Sequence, residues 1–141
     1  MTTISIAPSD LKIASEAVPT NVPIVMLNLL RFKEHADYGD RTGEAPCSGQ
    51  EAYMTRYVPS FGEVVKQLGV TGGVPVFLGA SHAHIVAPPD EKWDIVVLVE
   101  YPNFATFHQI VQSQEYQDQC AHHRIAALDN WRLIATTKID L

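Results

Sequence analysis

Two apolar runs dominate the chain, IVMLNLLRF (24–32) and WDIVVLVEY (93–101), and both carry apolar residues at odd and even positions alike. A strand with one wet face alternates cleanly, so runs of this kind read as strands covered on both sides. VPVFLGASHAHIVA (74–87) is a third β-type run, separated from the second by the turn PPDEK, and the two are expected to pair as a long hairpin with Gly79 a possible bulge. WRLIATT (131–137) reads as the last strand.

Helical spacing fills the intervals. Ser48 with Glu51 three residues on is a capping box, and in AYMTRYVPSFGEVVKQL the residues Tyr53, Tyr57, Val64 and Leu68 keep near-helical spacing. Pro59 removes an amide donor and Gly62 loosens the turn, predicting a kink or a two-piece helix that ends at Gly69. Asn103 caps a second helix, which breaks near Ser113 and resumes through QEYQDQCAHHRIAAL. Ahead of the first strand, Ser9 and Asp10 are N-cap types before LKIASEAV, a short helix closed by Pro19.

The order strand, helix, strand, strand, helix, strand defines an α+β class, the ferredoxin-like split βαβ sandwich with an antiparallel sheet in the order 4-1-3-2 and both helices on one face. Residues 1–22 form an N-terminal extension and 23–141 a single domain. Because the central strands are apolar on both faces, the face without helices needs a cover. A second copy of the sheet is the simplest one, so a homodimer is expected.

Composition narrows the function classes. The 141 residues are 46% apolar and 18% charged, a globular balance. With a formal charge of −6 and no basic stripe longer than His122–Arg124, nucleic acid is not an expected partner. Two cysteines, Cys47 and Cys120, are too few for a disulfide scaffold. The N-terminal stretch has neither a basic start nor an apolar core of signal length, and no run reaches membrane-spanning length, so the expectation is a cytoplasmic protein without membrane contact. No GxSxG elbow, P-loop, dinucleotide fingerprint or paired CxxC occurs, and no cofactor is expected.

The polar residues inside apolar segments are the candidates for chemistry. Asn28 and Arg31 differ in parity and should point to opposite faces of the first strand. Asn28 is either a buried amide tied to a neighbour or a group that orients a ligand oxygen. Arg31 is either a surface or inter-subunit ion pair or an anion contact. Tyr116, Cys120, His123 and Ala127 follow helical spacing, which would turn His123 toward the sheet, where an imidazole can move a proton near neutral pH. His122 should then face solvent. The topology gathers Tyr53, Tyr57, Trp93 and Arg124 at the same end of the sheet. His82 and His84 share a strand face and could meet one metal, but a third ligand is needed and only loose candidates such as Asp94 stand by, so surface or dimer packing is the expectation and no metal is assigned. The expectation is a hollow shared by His123 and Asn28 as catalytic pair, with Arg31, Tyr53, Tyr57, Trp93 and Arg124 as binding residues. It would serve acid–base chemistry on a small carbonyl-bearing or aromatic compound; the alternative is a non-enzymatic small-ligand-binding or stress-associated module.

The segments VMLNLLRF, the Gly-Gln-Glu-Ala-Tyr opening of the first long helix, PPDEKWDIVVLVEYP, EYQ, HHR and RLIATT, taken in that order, resemble the domain of unknown function 1330 family. The likeness runs over about 23–137. It departs where Ser113-Gln114 stand in place of the family's frequent Asp-Pro, and where Trp131 precedes the last strand's Arg. The resemblance implies a dimeric α+β barrel. It carries over no catalytic residue, because the wider superfamily hosts monooxygenases, cyclases, isomerases and haem-degrading proteins on one fold.

Overall fold

The computed structural model describes residues 2–141. Its elements are α1 (Pro8–Ala17), β1 (Ile24–Phe32), α2 (Gly49–Glu51), a π-helical segment (Ala52–Tyr57), α3 (Val58–Leu68), β2 (Val74–Ala80), β3 (Ile95–Tyr101), α4 (Phe104–Gln112), α5 (Gln114–Gln119), α6 (Ala121–Ala127) and β4 (Leu128–Thr136). The four strands form one sheet in the order β2-β3-β1-β4, with every neighbouring pair antiparallel. This is the expected ferredoxin-like α+β arrangement.

Strand parity decides what each face sees. Ile24, Met26, Asn28 and Leu30 are buried under the helices, while Val25, Leu27 and Leu29 on the other face are only half-buried. Residues directly opposite share a face. Asn28 therefore lies between Val97 and Leu133 on the helical side, and Leu27 lies between Leu98 and Ile134 on the open side. The open face remains apolar and uncovered, with Phe77 53% and Ile134 48% exposed.

Three local expectations are corrected. The first helix starts at Pro8, not after Ser9 or Asp10. Ala7 is the cap residue and makes no side-chain cap bond, and Pro8 enters the first turn with its φ preset and no amide to satisfy. β2 stops at Ala80, and 81–94 form a loop instead of continued strand. Asp94 closes the pairing, donating its N–H to the Leu30 carbonyl at 2.7 Å while its carboxylate accepts the Phe32 N–H at 2.8 Å. The bulge falls between Pro75 and Phe77, not at Gly79. Gly79 instead leaves room for the Phe77 ring, which would meet an added Cβ at 2.6 Å.

Pro59 perturbs the first long helix as expected, though upstream of itself. Lacking an N–H, it cannot bond back to residue 55, and the preceding turn widens into π geometry with the Val58 N–H reaching the Tyr53 carbonyl. That turn sets the Tyr53 and Tyr57 rings in a stack with centroids 4.9 Å apart. Gly62 passes through α3 without a break, and Gly69 ends it in the left-handed conformation, φ 66°. The N-terminal extension is part of the packing: Leu11 is buried, and Ile4, Ile6, Ala14 and Val18 pack against the core. Among the described residues no helix is long and apolar enough to cross a membrane.

Candidate functional site

Between the sheet's helical face and the π segment with α3 lies a cavity of about 320 Å³. Its walls are mostly apolar: Met26, Val97, Val99 and Leu133 from the sheet, Phe61 and Val65 from α3, and Ile6 from the N-terminal segment. The polar lining is Asn28 with four tyrosines, Tyr53, Tyr57, Tyr101 and Tyr116. Burial pushes the pKa of each of these phenols above its ordinary value. They stay protonated at neutral pH and act as hydrogen-bond donors, not as bases.

Asn28, 6% exposed, is held from two sides. Its side-chain oxygen accepts the Trp131 indole N–H at 3.0 Å, and its amide donates to the Met26 carbonyl at 3.3 Å. The two alternatives for this residue thus coincide: it is a satisfied buried amide and it lines the cavity. Beside it the phenols form a chain. The Tyr57 and Tyr116 hydroxyls are 2.8 Å apart, and Tyr116 accepts from the Arg124 guanidinium. Arg124 is 5% exposed, lies over the Trp131 ring with 5.0 Å from Cζ to the centroid, and keeps its Nε buried without a hydrogen-bond partner. The groups that favour its charged form are Tyr116 and Tyr57, with no carboxylate among them. A buried cation is ordinarily paired with an anion. Here phenol oxygens and aromatic faces take the anion's place.

The imidazoles lie elsewhere. Residues 33–47 leave β1, cross over α6 and return at Gly49, whose missing Cβ makes room for the Lys33 and Ala127 carbonyls; an added one would sit 2.3 and 2.6 Å from them. Under this loop the Tyr38 hydroxyl is 2.7 Å from His123 Nδ1 and accepts from Arg56 at 3.2 Å. Arg56 also holds one Glu44 oxygen at 3.4 Å, and the other lies 4.0 Å from His122 Nε2. The two imidazole rings are 4.0 Å apart between centroids. Burial lowers the pKa of both, so both are neutral at pH 7.

The expected common hollow therefore divides. Asn28, Tyr53 and Tyr57 line the cavity, and Arg124 backs it through Tyr116. His123 does not reach it and faces the loop. His122, expected in solvent, is largely buried beside Glu44. Arg31 points to the open face as its parity requires and pairs with Asp129 at 3.4 Å. Trp93 packs beneath the Arg132 guanidinium and is not part of the cavity lining. His82 and His84 sit on the exposed 81–94 loop instead of a strand, and His84 Nε2 accepts the Trp93 N–H at 2.9 Å. Sequence reasoning missed Ile6, Tyr101 and Tyr116 in the cavity, and Tyr38 and Glu44 beside the imidazoles. Tyr116 was visible as a member of the helical stripe; the others carry no local signal.

Fold and cavity together define the class: a ferredoxin-like α+β domain with a small phenol-lined cavity between helices and sheet. Two crystal structures share the fold, each with a TM-score of 0.82. That of the methylated RPA0582 protein is 31% identical, with 99% of this chain and 98% of that one covered. That of RPA0582, a protein of unknown function from Rhodopseudomonas palustris, is 30% identical, with both chains fully covered. The chain belongs to the family of the RPA0582 protein. No protein-family model and no curated protein matches it.

Proposed function

We propose that this protein binds a small, mainly apolar molecule, aromatic or alicyclic, through one carbonyl or carboxylate oxygen placed at Tyr57. The observation that carries this reading is the buried Arg124, which has no acidic partner and feeds a chain of phenols into an apolar cavity. With Arg124 donating to Tyr116 and Tyr116 to Tyr57, the Tyr57 hydroxyl proton is left for a ligand. Donors polarised by a cation are stronger donors, and an oxygen carrying negative charge gains most from them. The reading favours a binding module over an acid–base enzyme: the cavity lining contains no Asp, Glu or His to act as base, and His123 lies under the 33–47 loop.

The test is a thermal-shift screen with benzoate, benzaldehyde, cyclohexanone and toluene. The oxygen-bearing probes should raise the midpoint of the wild type more than toluene does, and Tyr57→Phe should weaken their binding about tenfold, the worth of one such hydrogen bond. No shift with any probe, or equal binding by Tyr57→Phe, would sink the reading.

We also propose that a second copy covers the open face, as the resemblance to the domain of unknown function 1330 family implies. Support comes from the apolar stripe of Val25, Leu27, Leu29, Val96, Leu98, Phe77 and Ile134, a contiguous patch of the kind soluble monomers rarely leave bare. Sedimentation should show a dimer for the wild type and a folded monomer for Leu27→Lys; a dimer that survives this change places the contact elsewhere.

A further inference from the structure

We propose that Glu44, His122 and His123 form a binding site for a single divalent transition-metal ion, of which Zn²⁺ is the natural probe. One ligand atom from each of the three lies within 4.8 Å of the other two. Two imidazoles and one carboxylate are a donor set that suits Zn²⁺, and three protein ligands leave a fourth position for water or substrate.

The surroundings are arranged as ligands require. Tyr38 engages His123 Nδ1 at 2.7 Å, which leaves Nε2 as the free nitrogen; with a metal on Nε2, the ring proton sits on Nδ1 and is donated to the Tyr38 oxygen. Arg56 takes one oxygen of Glu44 at 3.4 Å and leaves the other, the one facing His122, available. His122 keeps Nδ1 buried with no hydrogen-bond partner and turns Nε2 toward that oxygen at 4.0 Å. Two ligand atoms on a tetrahedral zinc with bonds of about 2.0–2.1 Å stand about 3.3 Å apart, so binding draws the three groups inward by side-chain rotation. Glu44 lies on the 33–47 loop, outside any helix or strand. A groove lined by Asp37, Tyr38, Asp40, Arg41 and His122 opens beside the cluster and gives the ion a way in.

The proposal stands apart from the cavity reading, because the two sites share no residue, and its test separates them. The full chain, stripped with a chelator, is titrated with Zn²⁺ by calorimetry and with Co²⁺ by visible absorption. One ion per chain is expected. Glu44→Gln and His122→Gln should each weaken binding on the order of tenfold or more, and Tyr38→Phe by about tenfold through the lost orientation of His123. Tyr57→Phe, and His82→Gln on the exposed hairpin loop, should bind as the wild type does. Absence of binding in the stripped wild type, or wild-type affinity in both Glu44→Gln and His122→Gln, overturns the proposal. Should His122→Gln fail to fold, the ring resonances of His122 and His123 in the wild type decide: they shift on adding Zn²⁺, or the site does not exist.

Discussion

The cavity and the loop-covered cluster are both polar devices in a small fold, and they are built on opposite plans. The cavity has apolar room and only protonated phenols, with its one cation buried behind them. The cluster has imidazoles and a carboxylate close together beside an open groove whose lining includes Asp37, Asp40 and Arg41. Groups that change charge near neutral pH have thus been kept out of the place where an apolar molecule would sit. The lesson is that a residue's chemistry and a ligand's residence have to be located separately; a His in a buried stripe need not face the hollow its helix covers.

Alkaline pH should break the cavity side first, and with the largest effect. The buried phenols have folded-state pKa values raised by burial above the unfolded value of 10.0. A group raised in this way contributes stability that is fully present below the unfolded pKa and is lost as pH climbs toward the folded one. Stability measured by urea denaturation should therefore fall progressively above about pH 10, as unfolded tyrosines ionise and folded ones cannot. A flat profile from pH 9 to about 11 would mean that the phenols are wetter than the packing implies.

Tyr116→Phe sharpens the same side with a smaller effect. It removes the acceptor that stands between a buried guanidinium and Tyr57. Hydrogen bonds to charged groups are worth about 1.5–3 kcal/mol, so a loss of about 2 kcal/mol is expected, against about 1 kcal/mol for Tyr57→Phe, which leaves Arg124 its bond to Tyr116. Equal losses in the two variants, read from denaturation midpoints at constant m, would mean that Arg124 does not depend on the phenol chain.

How much of this was legible in the sequence follows from the range of the signals. The sheet could be read because IVMLNLLRF and WDIVVLVEY carry their burial in their own composition, and the opposite parities of Asn28 and Arg31 carried over directly to opposite faces. The cap at Ser48 and the stop at Gly69 are local chemistry and appeared where expected. His123 failed for a specific reason. Extending one helical phase from Tyr116 to Ala127 assumes an unbroken helix, but α5 ends at Gln119 and α6 begins at Ala121, with Cys120 at φ −115° between them. The break shifts the phase, so that Arg124, not His123, meets the Tyr116 hydroxyl. The partner of His123 is Tyr38, 85 residues away on a polar loop whose sequence says only that it is a loop.

That displacement gives the comparison its most discriminating prediction, which is also the smallest expected change. If the cavity and the imidazole cluster are independent, His123→Ala should leave the affinity of any cavity ligand within about twofold of wild type, since sites without shared partners add within about 0.3–0.5 kcal/mol. The same substitution should cost the fold about 1 kcal/mol through the lost Tyr38 bond and ring contacts. Tyr57→Phe should do the reverse, weakening the ligand while leaving the loop alone. Isothermal titration with the best thermal-shift ligand reads both variants on one scale. A tenfold loss in His123→Ala would show that the loop and the cavity are coupled through α6, and it would restore the imidazole to the chemistry of the pocket from which the helix break removes it.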